Sequence, residues 1–338
     1  MSLSSSEPLY VWNSSVVSRL ECSLSSLRKL DSSGLRSAKQ HTLFDAHGEL
    51  NERSIRNLDR SSALLLSSVK RLGSDWKTGV VPKDQLGVIV GTSFGSISST
   101  VNFTQDSFTE SRPYLVNPAK FPNTVMNFAA AQAAIWNGLK GPNATIAGGA
   151  GSLFVAATYG QRLMRSGQAS GLVVGVSEES SPERDTIESA AREQHTEIIE
   201  GAASFLVTHK PNVFDQSRPQ AELRLWRPVQ AARLSDLQYS VERWFRDISL
   251  SQTSVGEPAV VTAVGESELC DAVLGHVGVE FGSKRTVKLG WEGCSLGAWG
   301  GGLALSLALD NLAADEPWLI ITTDELHQTV TAALVSPA

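Results

Sequence analysis

The sequence predicts an α/β protein in which helices cover buried sheets. Short apolar runs rich in β-branched residues, such as Leu86–Gly91 and Gly171–Val176, stop at glycine or a polar residue, as buried strands do. Segments with apolar residues at helical spacing lie between such runs, so strands and helices alternate in both halves of the chain.

From the N-terminus, Leu9–Asn13 reads as a short first strand, and the Ser-rich stretch Cys22–Ser37 lacks periodicity and is expected at the surface. Between Ile55 and Leu72, the residues Leu58, Leu64, Leu65, Val69 and Leu72 recur with Arg and Lys among them, as in an amphipathic helix. Leu86–Gly91 is the next strand. Pro122 is placed to open a helix reaching Trp136, because the N–H that proline lacks has no partner in a first turn anyway. Gly138-Leu-Lys-Gly-Pro142 is a turn, Thr145–Ala147 a short strand and Ser152–Arg165 a helix, before the strands Gly171–Val176 and Glu200–Val207. Asn212–Pro219 is polar and contains proline, a joint between an N-terminal half, 1–210, and a C-terminal half, 211–338. Beyond it Leu237–Ile248 reads as a helix, Ala259–Val264 as a strand, Leu296–Leu312 as a helix, and Trp318–Thr322 and Thr329–Val335 as strands.

Bulk properties exclude several classes. With 338 residues, 41% hydrophobic and 19% charged, the chain has the composition of an ordinary soluble globular protein. A net charge of −6 carries no basic footprint for nucleic acid. Runs such as Leu303–Leu309 end well short of membrane-spanning length, and the N-terminus has no basic or apolar region of a signal peptide. Three scattered cysteines, Cys22, Cys270 and Cys294, fit a reducing cytoplasm and no disulfide framework. His276 and Cys270 lie six apart without a second ligand pair, so no metal is expected, and no cofactor motif is present. Gly148-Gly-Ala-Gly151 lacks the lysine of a P-loop and the GxGxxG spacing, which leaves close backbone packing as its explanation. Glu178-Glu-Ser-Ser-Pro-Glu-Arg-Asp185 reads as a charged, solvated loop.

Several segments carry a family resemblance in order. They are Gly87-Val-Ile-Val-Gly-Thr-Ser-Phe-Gly95, Val116-Asn-Pro-Ala-Lys-Phe-Pro-Asn-Thr-Val-Met-Asn127, Gly141-Pro-Asn-Ala-Thr-Ile-Ala-Gly-Gly-Ala-Gly-Ser152, Gly175-Val-Ser-Glu178 and Glu200-Gly-Ala-Ala-Ser-Phe-Leu-Val207. Together they resemble the β-ketoacyl synthases. The resemblance implies a thiolase-like fold, with two pseudo-symmetric halves forming a layered αβαβα sandwich and the C-terminal half shortened. Ala150 then stands where the family has its nucleophilic cysteine. Gly293-Cys-Ser-Leu-Gly-Ala-Trp-Gly300 and Val261-Thr-Ala-Val-Gly265 are similar to the segments of the two catalytic histidines, which puts Cys294 and Val264 at those positions. The family's closing glycine-rich loop falls near Thr323–Thr331, where Glu325-Leu-His-Gln has no such glycines.

Condensation needs a thiolate to carry the acyl chain and imidazoles to help expel CO2 and stabilise the enolate. An alanine methyl forms no thioester, valine has no proton to offer, and a thiol is no imidazole. The resemblance therefore implies a degenerate member with no intact catalytic residue. Its likeness is to the chain-length factor subunits of type II polyketide systems, and among these to a diverged partner in a polyene-type system such as the aryl polyene pathways. The implied partner is an active ketosynthase, joined as a heterodimer through the strand Ala144, Thr145, Ile146, Ala147 and Gly148. Acyl carrier protein is expected to dock mainly on that partner. Phe103, Phe108, Phe121, Met126 and Phe128 are the candidates for tunnel or interface walls, against the plain alternative that they fill the protein's own core. Two other readings stay open: an enzyme that reuses the fold with Cys294 or Ser152 as nucleophile, a thioesterase or acyltransferase, and a silent acyl-binding homodimer. Trp291 and Trp299 flank the cysteine and are candidates to fill an emptied active site.

Overall fold

One continuous sheet carries the same strand order twice. The computed structural model describes residues 7–18, 44–50, 58–73, 81–214, 218–230, 239, 241–242, 244, 258–265, 268–281, 285–290, 293–313 and 316–338. The first half contains β1 (Leu9–Ser18), α1 (Ala46–Leu50), α2 (Arg60–Arg71), β2 (Leu86–Thr92), α3 (Ile97–Thr109), α4 (Phe128–Asn137) and β3 (Asn143–Ala147). It continues with α5 (Ser152–Arg165), β4 (Gly171–Glu178), α6 (Pro182–Arg192), β5 (Glu197–Ile198) and β6 (Gly201–Thr208). The second half contains β7 (Ala221–Leu225), β8 (Val229–Gln230), β9 (Val260–Val264), α7 (Glu268–Phe281), β10 (Arg285–Leu289), β11 (Cys294–Ser295), α8 (Trp299–Asn311), β12 (Trp318–Asp324) and β13 (Thr329–Pro337).

The first half runs β3-β2-β4-β6-β1 across the sheet and the second runs β10-β9-β12-β13-β7. Each has three parallel strands followed by two antiparallel ones. The halves meet where β1 pairs antiparallel with β7, Leu9 opposite Leu223 and Val11 opposite Ala221. The second copy of the pattern is completed within 221–337, against 9–208 for the first, and is the shorter one.

Helices α5 and α8 lie between the two halves of the sheet. Each packs on strands of its own half and on strands of the other. Alternation along the strands sorts side chains between this middle layer and the outer ones. Ile89, Val174, Val260 and Ile320 face the central core. Val88, Val90 and Val173 face outward against α2 and α4, while Val261, Leu319 and Ile321 face outward towards α7, Val241 and Trp244. With both faces covered, the inner strands β2, β4 and β9 are buried along their whole length, which is why they are legible as runs rather than alternations. The result is an αβαβα sandwich of thiolase-like type.

Local differences from the sequence-based expectations have identifiable causes. The first strand extends to Ser18, because its second part pairs with β6 over Ser14–Ser18. Helix α2 begins at Arg60, where the Asp59 carboxylate caps it by accepting the Ser62 N–H at 2.9 Å. Pro122 opens no helix. It sits inside a 3-10 stretch, Pro118–Thr124, and α4 starts at Phe128. Gly138 ends α4 in the left-handed conformation, φ 65°. The Ser-rich stretch Cys22–Ser37 lies outside the described residues, as does most of Leu237–Ile248.

Candidate functional site

Ala150, Val264 and Cys294, far apart in sequence, converge on one cavity. It opens where the C-terminal ends of β2, β9 and β12 meet the start of α5, and Ala150, Val264 and Cys294 all line it. Clefts of α/β sheets form at this end because the strands stop and the following segments diverge. Ala150 lies in a single 3-10 turn, Gly149–Gly151, that runs directly into α5.

An N–H at the start of a helix has no partner within the helix. That of Ala150 donates to Asp324 Oδ2 at 2.9 Å. Asp324 ends β12 and is only 7% exposed. Its Oδ1 accepts the backbone N–H of His327 at 3.0 Å, and its Oδ2 stands 3.0 Å from His327 Nδ1, an ion pair when the imidazole is protonated. Gly149 makes room for the carboxylate: at φ 61°, a Cβ there would fall 1.8 Å from Asp324 Oδ2. The glycine run thus serves close packing of a side chain against backbone. Burial pushes the Asp324 carboxyl up, but the contacts from His327 and the Ala150 N–H outweigh it and hold the group below the usual carboxylate range. The Asp324 contact raises the His327 imidazole against the opposing effect of burial.

Glu188 and Arg192 line the cavity, and they belong to a network of buried charge that corrects the expectation of a solvated loop at Glu178–Asp185. Glu178 closes β4 fully buried and accepts the backbone N–H groups of Ser93 and Ala298, tying the end of β2 to the start of α8. Arg184 in α6 is buried as well. Its Nη1 lies 3.3 Å from Glu178 Oε2 and its Nη2 donates to Glu188 Oε1 at 2.8 Å. Glu188 also accepts from Arg192 at 3.0 Å, and the Arg184 guanidinium stacks 4.2 Å from the Phe94 ring centroid. Pro182 and Ser181 start this helix where composition suggested a loop; the Ser181 hydroxyl caps it by accepting the Arg184 N–H.

Of the candidate nucleophiles, Cys294 lines this cavity and Ser152 does not. The Ser152 hydroxyl is fully buried among the Thr92 and Gly149 carbonyls, 3.0 and 2.7 Å away, and accepts the Gly148 N–H at 3.0 Å. Cys294 is buried in the short pairing of β11 with β5. Trp299 does not fill the cavity: it is fully buried in the core, packs on Gly201 and donates its Nε1–H to the Ile199 carbonyl. Trp291 lies outside the described residues. Among the described residues, no group of three or more His, Cys, Asp or Glu is placed to hold a metal ion, and no helix is long and apolar enough to cross a membrane.

The segment Ala144–Gly148 is divided between β3, which forms one edge of the sheet, and the glycine that leads to Ala150. The five aromatic and methionine candidates lie on a different stretch, from α3 to the start of α4. Phe108 is 83% exposed, and Phe121 and Met126 are also exposed; Phe103 and Phe128 are half-buried, with Phe103 against the Phe121 ring at 5.8 Å. For the three exposed residues, the plain reading as core filling does not hold. Met126 and Phe128 also line a small second cavity with Asp59, Ser96 and Asn123.

Asp324, His327 and Arg184 were not among the residues singled out in the sequence. The only signal for the first two was the Asp324–His327 spacing in the turn between two apolar strands. Nothing local indicates that the carboxylate reaches an amide 174 residues away in sequence.

The fold and cavity define a ketosynthase-like protein of the thiolase-like class. Residues 18–197 match the family model of the Beta-ketoacyl synthase, N-terminal domain, more than half of the chain. The chain belongs to the β-ketoacyl synthase family. Among solved structures it is similar to the ishigamide ketosynthase/chain length factor, at TM-score 0.78 and 22% identity, covering 98% of this chain and 99% of that one. It is likewise similar to AntDE:AntF, a type II PKS acyl-carrier protein in complex with its ketosynthase bound to the hexaketide (TM-score 0.78, 14% identity, 98% and 100% covered). A third is a Beta-ketoacyl synthase from Burkholderia phymatum STM815 (0.77, 13%, 98% and 100%). No curated protein matches the chain.

Proposed function

We propose that this chain is a catalytically inactive ketosynthase-like subunit, a chain-length factor, that pairs with an active ketosynthase in polyketide, polyene or fatty-acid-like biosynthesis. The observation that carries this reading is the convergence of Ala150, Val264 and Cys294 on one cavity without a thiol at 150 or an imidazole at 264 or 294. A thioester has no attachment point at residue 150, and neither histidine position supplies an imidazole. The active partner would contribute the nucleophile and receive most of the carrier-protein contact. This subunit would cover the edge of its β3 strand, stabilise the complex and wall part of the acyl tunnel. An uncovered strand edge invites pairing, which favours a partner there. Assignment to an aryl polyene system and to the cytoplasm belongs to the same proposal.

The test is recovery of the tagged chain from its native cells, with mass spectrometry of what co-purifies. A cysteine-bearing ketosynthase at equal stoichiometry is expected. A lone homodimer sinks the pairing. With the partner in hand, alanine at Phe103, Phe108, Phe121, Met126 or Phe128 is expected to lengthen products at true wall positions without dissolving the dimer. Unchanged lengths for all five remove the chain-length role.

A further inference from the structure

We infer that Asp324 is a built-in ligand of the degenerate centre: its carboxylate occupies the place that an acyl oxygen on residue 150 requires. The block to acyl transfer is then double, and the loss of the nucleophile is only one part of it. This rests on the reading of residue 150 as the former nucleophile position.

In acyl transfer, the backbone N–H of the nucleophilic residue itself commonly helps to hold the oxyanion of the tetrahedral intermediate. The equivalent amide here, Ala150 N–H, has one hydrogen and already gives it to Asp324 Oδ2 at 2.9 Å. Any oxygen developing negative charge at that point would meet a carboxylate in place of a donor. The carboxylate is held firmly. Pairing of Asp324 with Thr329 in the β12–β13 hairpin sets its backbone, His327 engages both of its oxygens, and Gly149 leaves it space that a Cβ would take. It is also buried, so water does not screen it. A thiol placed at 150 would sit beside this negative charge, which disfavours its thiolate.

The experiment compares Ala150→Cys with the double variant Ala150→Cys/Asp324→Ala, using the hexanoyl thioester of N-acetylcysteamine as acyl donor. In the reaction the introduced thiolate attacks the thioester carbon, and the carbonyl pair moves onto oxygen. Collapse then expels the cysteamine thiolate, which takes up the proton that the protein thiol lost. Peptide mapping locates the acyl group, and the native chain sets the background from Cys22, Cys270 and Cys294. Acylation at 150 is expected to be slow in the single variant and on the order of 10²- to 10³-fold faster in the double one. Asp324→Ser provides a second double variant, keeping an acceptor for the His327 N–H; circular dichroism melts identify the folded proteins. Equal rates in single and double variants, fast or slow, overturn the inference. Rapid, stoichiometric acylation of the native chain mapped to Cys294 or Ser152 would instead sink the inactive-subunit reading, and the role of Asp324 would still be read from the comparison at 150.

Discussion

Glu179 shows how one buried carboxyl couples the interior to the exposed face of the molecule. It follows β4, yet it caps α3: its Oε1 accepts the Ser98 N–H at 2.9 Å and its Oε2 accepts the Ser96 hydroxyl at 3.1 Å. Ser96, at the N-cap position, makes no cap bond of its own. Burial, with the nearby Asp59 and Glu178 charges adding to it, raises the Glu179 carboxyl to about 7 despite these hydrogen bonds. Between its ordinary value near 4.5 and about 7, the folded state therefore binds more protons than the unfolded one, so stability falls as pH rises through that window and levels off above it. Glu179→Gln keeps the shape without the charge: its amide oxygen accepts the Ser98 N–H, and its NH2 donates to the Ser96 hydroxyl oxygen, reversing that contact. It is expected to be more stable than the native chain at pH 8, by up to roughly 3 kcal/mol, with the gain gone near pH 4.5. Urea melts of both proteins at pH 5 and pH 8 check this, and a gain independent of pH would refute it. Charged residues of this kind are the least legible in a sequence. The composition of Glu178–Asp185 suggests solvation, and part of what reverses it arrives from elsewhere in the fold: the Phe94 ring and the Glu178 carboxylate join Glu188, one turn further along the same helix, around Arg184. That Ala150, Val264 and Cys294 line one cavity was approachable from the sequence because each sits in a glycine-bearing segment.

At the scale of elements, legibility follows burial. Strands covered on both faces announce themselves as apolar runs, so β2, β4, β9 and β12 are visible in the sequence. Helix α3, Ile97–Thr109, is not: it is rich in Ser, Thr, Asn and Gln and buries no residue completely, so it has no apolar stripe to detect. Edge strand β10 is partly exposed and begins Arg-Thr, and it escapes for the same reason. Helix α8 carries the opposite signature, with a glycine run just inside its start that lets it approach both sheet halves. A Cβ on Gly302 would lie 2.6 Å from the Ala203 Cβ and 2.8 Å from Val176 Cγ2. Gly302→Ala would gain about 1 kcal/mol of helix propensity, against a cost of roughly 1–3 kcal/mol for overpacking a filled interior. Net destabilisation is the expected sign. Gly275 in α7 provides the contrast, because a Cβ there meets nothing within 4 Å, and Gly275→Ala is expected to stabilise by up to about 1 kcal/mol. Opposite shifts of the urea midpoint at unchanged m-value check the pair; shifts of the same sign would show that the middle layer is less tightly packed than its geometry requires.

Among the described residues, most of the exposed large apolar side chains lie on one stretch of the molecule. Its sheet is covered above and below, while α3, the 3-10 segments after it and α4 present Phe108, Tyr114, Leu115, Phe121, Val125, Met126 and Ile135 to solvent, Ile135 at 70% exposure. Helix α4 packs on β3, the strand at that edge of the sheet. Single exposed apolar residues need no explanation, but a set gathered beside an open strand edge is the signature of an interaction surface. Stability of the isolated chain and capture of a partner are therefore separable on this face. Phe108→Glu changes a side chain that contributes little burial to the chain's own core, so the melting of the isolated protein is expected to stay within about 0.5 kcal/mol of native. The same change would bury an unpaired carboxylate in any complex formed there, which costs far more than the lost contact of the ring. Co-purification of a ketosynthase with the Phe108→Glu chain is accordingly expected to collapse. If the partner is retained while the isolated fold is unchanged, the partner binds elsewhere, and the exposed residues from α3 to α4 lose their role as its interface.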